Sequence, residues 1–186
     1  NTDATEKRVS YIYNGAEQTI YNYNTFVDLL NFGGLRTLSL DFVGYGDLET
    51  VLKLTTDISS LRFSGCQLGT IPDLTMLGSL SSLTITHDTF SDISPLSTLT
   101  GLTSLDLSFN AISNLTPLSG LTGLTSLNLY SNAVEDIEPL AALTALTELN
   151  IGRNKIEDFD PISELEFEED MYNDDDQFWE PEEVTE

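Results

Sequence analysis

The chain has 186 residues, with 31 Asp and Glu against 7 Lys and Arg and a formal net charge of -24. That length suits one domain, and a hydrophobic fraction of 40% excludes wholesale disorder, while the charge argues against nucleic acid or an anionic membrane as the main partner. No apolar run is long enough to cross a bilayer, so membrane insertion is not expected, and the single cysteine, Cys66, excludes an internal disulfide framework without deciding the redox compartment.

In chain order, residues 1–32 read as an N-terminal cap. VSYIYNGAEQTIYNYN carries a hairpin signal at Asn14-Gly15, flanked by the β-formers Tyr11, Tyr13, Tyr21 and Tyr23. NTFVDLLNF then predicts a short helix, with Asn24 as N-cap and Phe26, Leu29 and Leu30 on one stripe. Because the chain opens on Asn1, any initiator Met or signal peptide is expected to lie outside it.

Residues 33–164 read as about six coils. Three blocks align without gaps at a period of 22 residues: LTGLTSLDLSFNAISNLTPLSG (99–120), LTGLTSLNLYSNAVEDIEPLAA (121–142) and LTALTELNIGRNKIEDFDPISE (143–164). Earlier periods give LGSLSSLTITHDTFSDISPLST (77–98) and the weaker TTDISSLRFSGCQLGTIPDLTM (55–76). The run Leu35, Leu38, Leu40 stands 23 residues before Ile58, Leu61, Phe63, which implies a one-residue insertion in the first coil.

Within a block the spacing changes. Alternation over Ser104, Leu105, Asp106, Leu107 and Ser108 predicts a short strand, with the leucines inside and the other three toward solvent. Wider spacing around Ile112, Leu115 and Leu118, with Pro117 opposing a long α-helix, predicts 3₁₀ segments or turns that return the chain on the other side. The apolar side chains of one coil do not offset the entropy of ordering its backbone, so neighbours must stack, strand beside parallel strand. Position 12 of each block carries Asn110, Asn132 and Asn154, preceded by Asp88 and Cys66. This column is expected to point inward, its amides satisfying backbone groups at the bend, with Cys66 a small buried residue rather than a nucleophile.

Residues 165–186 read as an acidic C-terminal cap and tail. From residue 157 to the end there are 15 acids and no base, so 16 acids face all 7 bases in the remainder. Like charges favour a solvated tail, but Leu165, Phe167, Met171, Tyr172, Phe178 and Trp179 suggest that its first half covers the last coil.

The pattern L-x-x-L-x-L-x-x-N followed by I-x-D-I-x-P-L, cleanest in LTSLNLYSNAVEDIEPL, resembles leucine-rich repeats of the 22-residue internalin type, found on bacterial surface and secreted proteins. The resemblance implies an α/β solenoid: a right-handed superhelix with a parallel sheet on the concave face, 3₁₀ and turn segments on the convex face, and an N-terminal cap. It also implies a non-catalytic module whose concave residues bind another protein, secreted or at the bacterial cell surface, with a cytoplasmic setting as the alternative.

On such a sheet the solvent-facing positions form columns. Interfaces draw their energy from aromatic and Arg anchors. The candidate ligand-binding residues are therefore Tyr130, Phe109, Arg62, Arg153 and His87, with Asp106, Asn128 and Asn150 as polar neighbours and Phe42 at the margin. Other roles for the chain are a spacer within a larger surface protein, or an intracellular scaffold for a basic partner. No catalytic residues are assigned, since an open sheet offers His87, Ser108 and Asp106 no water-excluding pocket. No cofactor or metal is expected: one His and one Cys cannot hold zinc, and Asp174, Asp175 and Asp176 lack the EF-hand pattern. Asn114-Leu115-Thr116 matches the glycosylation tripeptide, relevant only on a eukaryotic secretory route. A monomer is expected.

Overall fold

The structure, a computed structural model, describes residues 8–13, 16–20, 35–41 and 57–167. The expected helix over 24–32, the Asn14-Gly15 turn, Phe42, the three aspartates Asp174, Asp175 and Asp176, and the rest of the acidic end from 168 onward lie outside these residues. One sheet runs through the described chain in the order β2-β1-β3-β4-β5-β6-β7-β8. Its strands are β1 (Arg8–Tyr13), β2 (Ala16–Ile20), β3 (Thr37–Asp41), β4 (Ser60–Ser64), β5 (Ser82–Thr86), β6 (Ser104–Asp106), β7 (Ser126–Asn128) and β8 (Glu148–Asn150).

Strands β3 to β8 are parallel, one from each coil, and their register keeps like positions opposite. Leu38, Leu61, Leu83, Leu105, Leu127 and Leu149 form one interior row, none more than 6% exposed. The pairing of Leu38 with Leu61 spans the 23-residue step, so the inserted residue of the first coil falls outside the strand. Strand β1 pairs antiparallel with both β3 and β2, with Tyr13 opposite Ala16, so a hairpin occupies the edge of β3 that the repeats leave open.

A hydroxyl column marks the strand entrance. Ser59, Ser81, Thr103, Thr125 and Thr147 each donate from the side chain to a carbonyl one coil earlier, on Arg36, Ser59, Ser81, Thr103 and Thr125, at 3.1–3.3 Å. On the return side the chain makes 3₁₀ turns at Ser94–Thr98, Thr116–Leu118, Glu138–Ala142 and Asp160–Ile162, each with proline in its first two positions. There the missing N–H deprives the turn of nothing. Asp92, Asn114, Asp136 and Asp158 lead into these turns, each accepting the backbone N–H two residues on at 2.9–3.0 Å. This explains the acidic position of the I-x-D-I-x-P-L motif.

The strands depart from expectation in length. Five-residue strands with Ser108 toward solvent were predicted, and β3 to β5 have five residues, but β6 to β8 have three and Ser108 is buried. Two columns cause the change. Where Asp106, Asn128 and Asn150 stand in place of Arg62 and Thr84, the side-chain oxygen accepts the N–H of Ser108, Tyr130 or Gly152 at 2.9–3.2 Å. The carbonyls those N–H groups would meet across the sheet, on Ile85, Leu107 and Leu129, accept instead from Nδ2 of Asn110, Asn132 and Asn154 at 2.8–3.0 Å. One rung of the ladder is exchanged for two side-chain bonds, and no backbone group is orphaned.

Candidate functional site

The site grows from a backbone constraint. Gly65, His87, Phe109, Ser131 and Arg153 occupy the same position in successive coils, and all have positive φ between 52° and 62°. A left-handed residue with a side chain costs about 1–2 kcal/mol, so a turn that repeats it must be held from elsewhere. The next residue does so in three coils. The amides of Asn110, Asn132 and Asn154 each donate to a carbonyl of their own coil three residues back, on Leu107, Leu129 and Ile151, at 2.8–3.0 Å. Asn132 and Asn154 also accept the N–H of Ile112 and Val134 one coil earlier, both at 3.0 Å. Their role in the fold is structural. Cys66 begins the column as a buried thiol donating to the Leu40 carbonyl at 3.2 Å.

The left-handed turns set out His87, Phe109 and Arg153 along one margin of the sheet, and Tyr130 reaches the same line from two residues past the end of β7. The His87 and Phe109 rings stack with centroids 4.5 Å apart and an interplanar angle of 15°. Phe109 meets Tyr130 edge to face at 5.3 Å, and the Arg153 guanidinium carbon lies 5.5 Å from the Tyr130 centroid. Each ring pair contributes about 0.5–1.5 kcal/mol beyond burial, and the cation about 0.5–1 kcal/mol at an exposed site. The result is a four-member ladder whose rings are held in place before any ligand arrives. Phe109 remains 41% exposed although stacked on both sides; among the described residues only Met76, at 68%, is a comparably exposed large hydrophobe.

Beside the ladder run the polar strand positions Asp106, Asn128 and Asn150, opposite one another in register. Because their oxygens hold backbone N–H groups, the amide nitrogens of Asn128 and Asn150 are the donors they offer. Arg62, the remaining predicted anchor, is exposed on β4 opposite Ser39 and Thr84, in the coil before that of His87. The structure thus brings four of the five predicted anchors into one contiguous line. Tyr130 and Phe109 stand in adjacent coils, and their rings meet although alignment by block puts Tyr130 one position before Phe109. The Arg153 contact with Tyr130 is not legible in the sequence, since it depends on how the turn aims both side chains.

Among the described residues no three His, Cys, Asp or Glu side chains converge as metal ligands, and no helix is long and apolar enough to cross a membrane. The family model of leucine-rich repeats (2 copies) matches residues 100–142 and 122–164. Among solved structures, an internalin (inlF) from Listeria monocytogenes is similar at 29% identity with a TM-score of 0.60, covering 79% of this chain and 49% of that one. This chain therefore spans about half the length of that internalin. Internalin C2 of the same organism aligns at 23% identity and a TM-score of 0.53, over 75% of this chain and 80% of that chain. The functional domain of InlJ, also from Listeria monocytogenes, aligns at 24% and 0.51, over 60% of this chain and 25% of its own. These last two bear on the fold alone. No curated protein sequence matches the chain significantly.

Proposed function

Because this chain is an internalin-like leucine-rich repeat protein, we propose that it is a non-catalytic module that recognises a protein ligand through the concave face of its sheet, in an exported bacterial protein. The observation that carries the reading is the ladder of His87, Phe109, Tyr130 and Arg153. Aromatic and Arg side chains dominate binding energy, and here their neighbours already restrict them, so little conformational entropy remains to be lost on association. Asp106, Asn128, Asn150 and Arg62 supply polar contacts around it. The six parallel strands stack about 4.8 Å apart, long enough together to span a standard protein contact. The internalin likeness supports a protein partner, and export is part of the same proposal.

The test uses the chain with both Phe109→Ala and Tyr130→Ala, against Met76→Ala as a control away from the ladder. With circular dichroism and thermal unfolding showing the fold retained, ligand captured by wild type and by the control should bind the double variant at least tenfold more weakly. Unchanged binding would remove the concave face from consideration. A steep loss of binding by wild type and variant alike between low and physiological salt would favour instead a basic partner held by the acidic charge.

A further inference from the structure

The Asn column contains one member that does not fit its own hydrogen-bond pattern as an ion. Asp88 is only 2% exposed and stands in the column ahead of Asn110, Asn132 and Asn154. Its Oδ1 accepts the N–H of Leu68 at 3.1 Å, twenty residues earlier. Asn132 and Asn154 accept from Ile112 and Val134 at that same separation. The side chain is therefore seated as an asparagine is. In the asparagines the other branch is an amide nitrogen donating to carbonyls two and three residues back and twenty-five back. In Asp88 that branch is Oδ2, buried and without a hydrogen-bond partner. An ionised oxygen buried there has no hydrogen to offer and receives none.

We infer that Asp88 works in the folded protein as a neutral carboxylic acid, its Oδ2–H taking the donor role of the asparagine amide, so that the joint between coils 55–76 and 77–98 is complete only while the proton is held. The surroundings agree. Burial raises the carboxyl above the usual range, against the backbone N–H groups of Leu68, Gln67 and Cys66 and against His87, all of which favour the anion. The groups facing it are few. The preceding coil offers the Cys66 thiol, already donating to Leu40, and the following coil offers uncharged Asn110, which accepts the Asp88 N–H through Oδ1 at 3.1 Å. His87, the adjacent residue, turns its exposed ring onto Phe109. No Lys or Arg pairs with Asp88 among the described residues.

The sign follows from linkage. A folded carboxyl that holds its proton more tightly than the unfolded one destabilises the protein as pH rises from the unfolded value to the raised folded value, and leaves stability untouched below both. A carbon-13 titration of side-chain carboxyls in the intact chain tests this directly. Asp88 should titrate above Asp73 and Asp92, whose exposed carboxyls are held low by hydrogen bonds from Thr75 and Ser94. A midpoint no higher than that of an aspartate in the unfolded chain overturns the inference. In parallel, Asp88→Asn should raise the thermal midpoint at neutral pH, with the gain over wild type shrinking toward zero in acid, while Asp88→Ala should be less stable than Asp88→Asn. An Asp88→Asn protein no more stable than wild type at neutral pH also overturns it. Should that variant fail to fold, the wild-type titration decides alone.

Discussion

A single amide carries more of this fold than any one leucine contact suggests. Asn132 gives Nδ2 to the carbonyls of Leu107 and Leu129 and takes the N–H of Ile112, tying three backbone groups in two coils. Asn132→Ala orphans the Ile112 N–H and takes one of two donors from the Leu107 and Leu129 carbonyls, which keep the amides of Asn110 and Asn154; a buried orphan costs about 1–3 kcal/mol. Urea unfolding should show a loss of about 1–3 kcal/mol. The inward direction of the column was legible, because an asparagine recurring among leucines has few other uses. Its bargain with Asp106, Asn128 and Asn150 was not, because apolar alternation records which side a residue faces and nothing about side chains competing for backbone partners. The exposed acids behave oppositely to Asp88. Asp92 is held low by the Ser94 hydroxyl and N–H, so its support of the turn is present above the unfolded value and fades as pH falls through the folded one. Asp92→Ala should flatten the acid limb of the stability profile measured by thermal unfolding.

Among elements, the strands and the 3₁₀ turns differ in how they were foreseen. Turns were legible through proline, since Pro95, Pro117, Pro139 and Pro161 recur every 22 residues and each stands at the start of a 3₁₀ segment. Pro117→Ala gives freedom back to the unfolded chain and should lower stability by about 0.5–1 kcal/mol, read as a small drop in thermal midpoint. Strands β6 to β8 are shorter than apolar alternation predicts, because Asp106, Asn128 and Asn150 each take one N–H out of the ladder. The shorter strands remain in the sheet because Leu107, Phe109, Leu129 and Ser131 still donate their N–H groups to the next coil at 2.7–2.9 Å. The leucine rows are less forgiving. Leu127 is buried between Leu105 and Leu149, and Leu127→Ala should cost about 2–5 kcal/mol in denaturant unfolding.

Across the whole molecule the coils depend on nearest neighbours, and the net charge acts against that stacking. With -24 on 186 residues, self-repulsion opposes the compact state, so the thermal midpoint of the free protein should rise as salt is added up to physiological strength. The sequence by itself determined the period, the parallel stacking, the one-residue insertion before Ile58 and the facing of each leucine. All of these are properties of a pattern repeated along the chain, and repetition makes a weak local preference unmistakable. Only the tertiary structure decided that His87, Phe109, Tyr130 and Arg153 join in one ladder, that strands shorten where an Asx side chain takes an N–H, and that Asp88 stands where a donor is required. Each of these depends on two coils meeting at a particular distance and angle, and no spacing within one coil encodes what its neighbour places opposite.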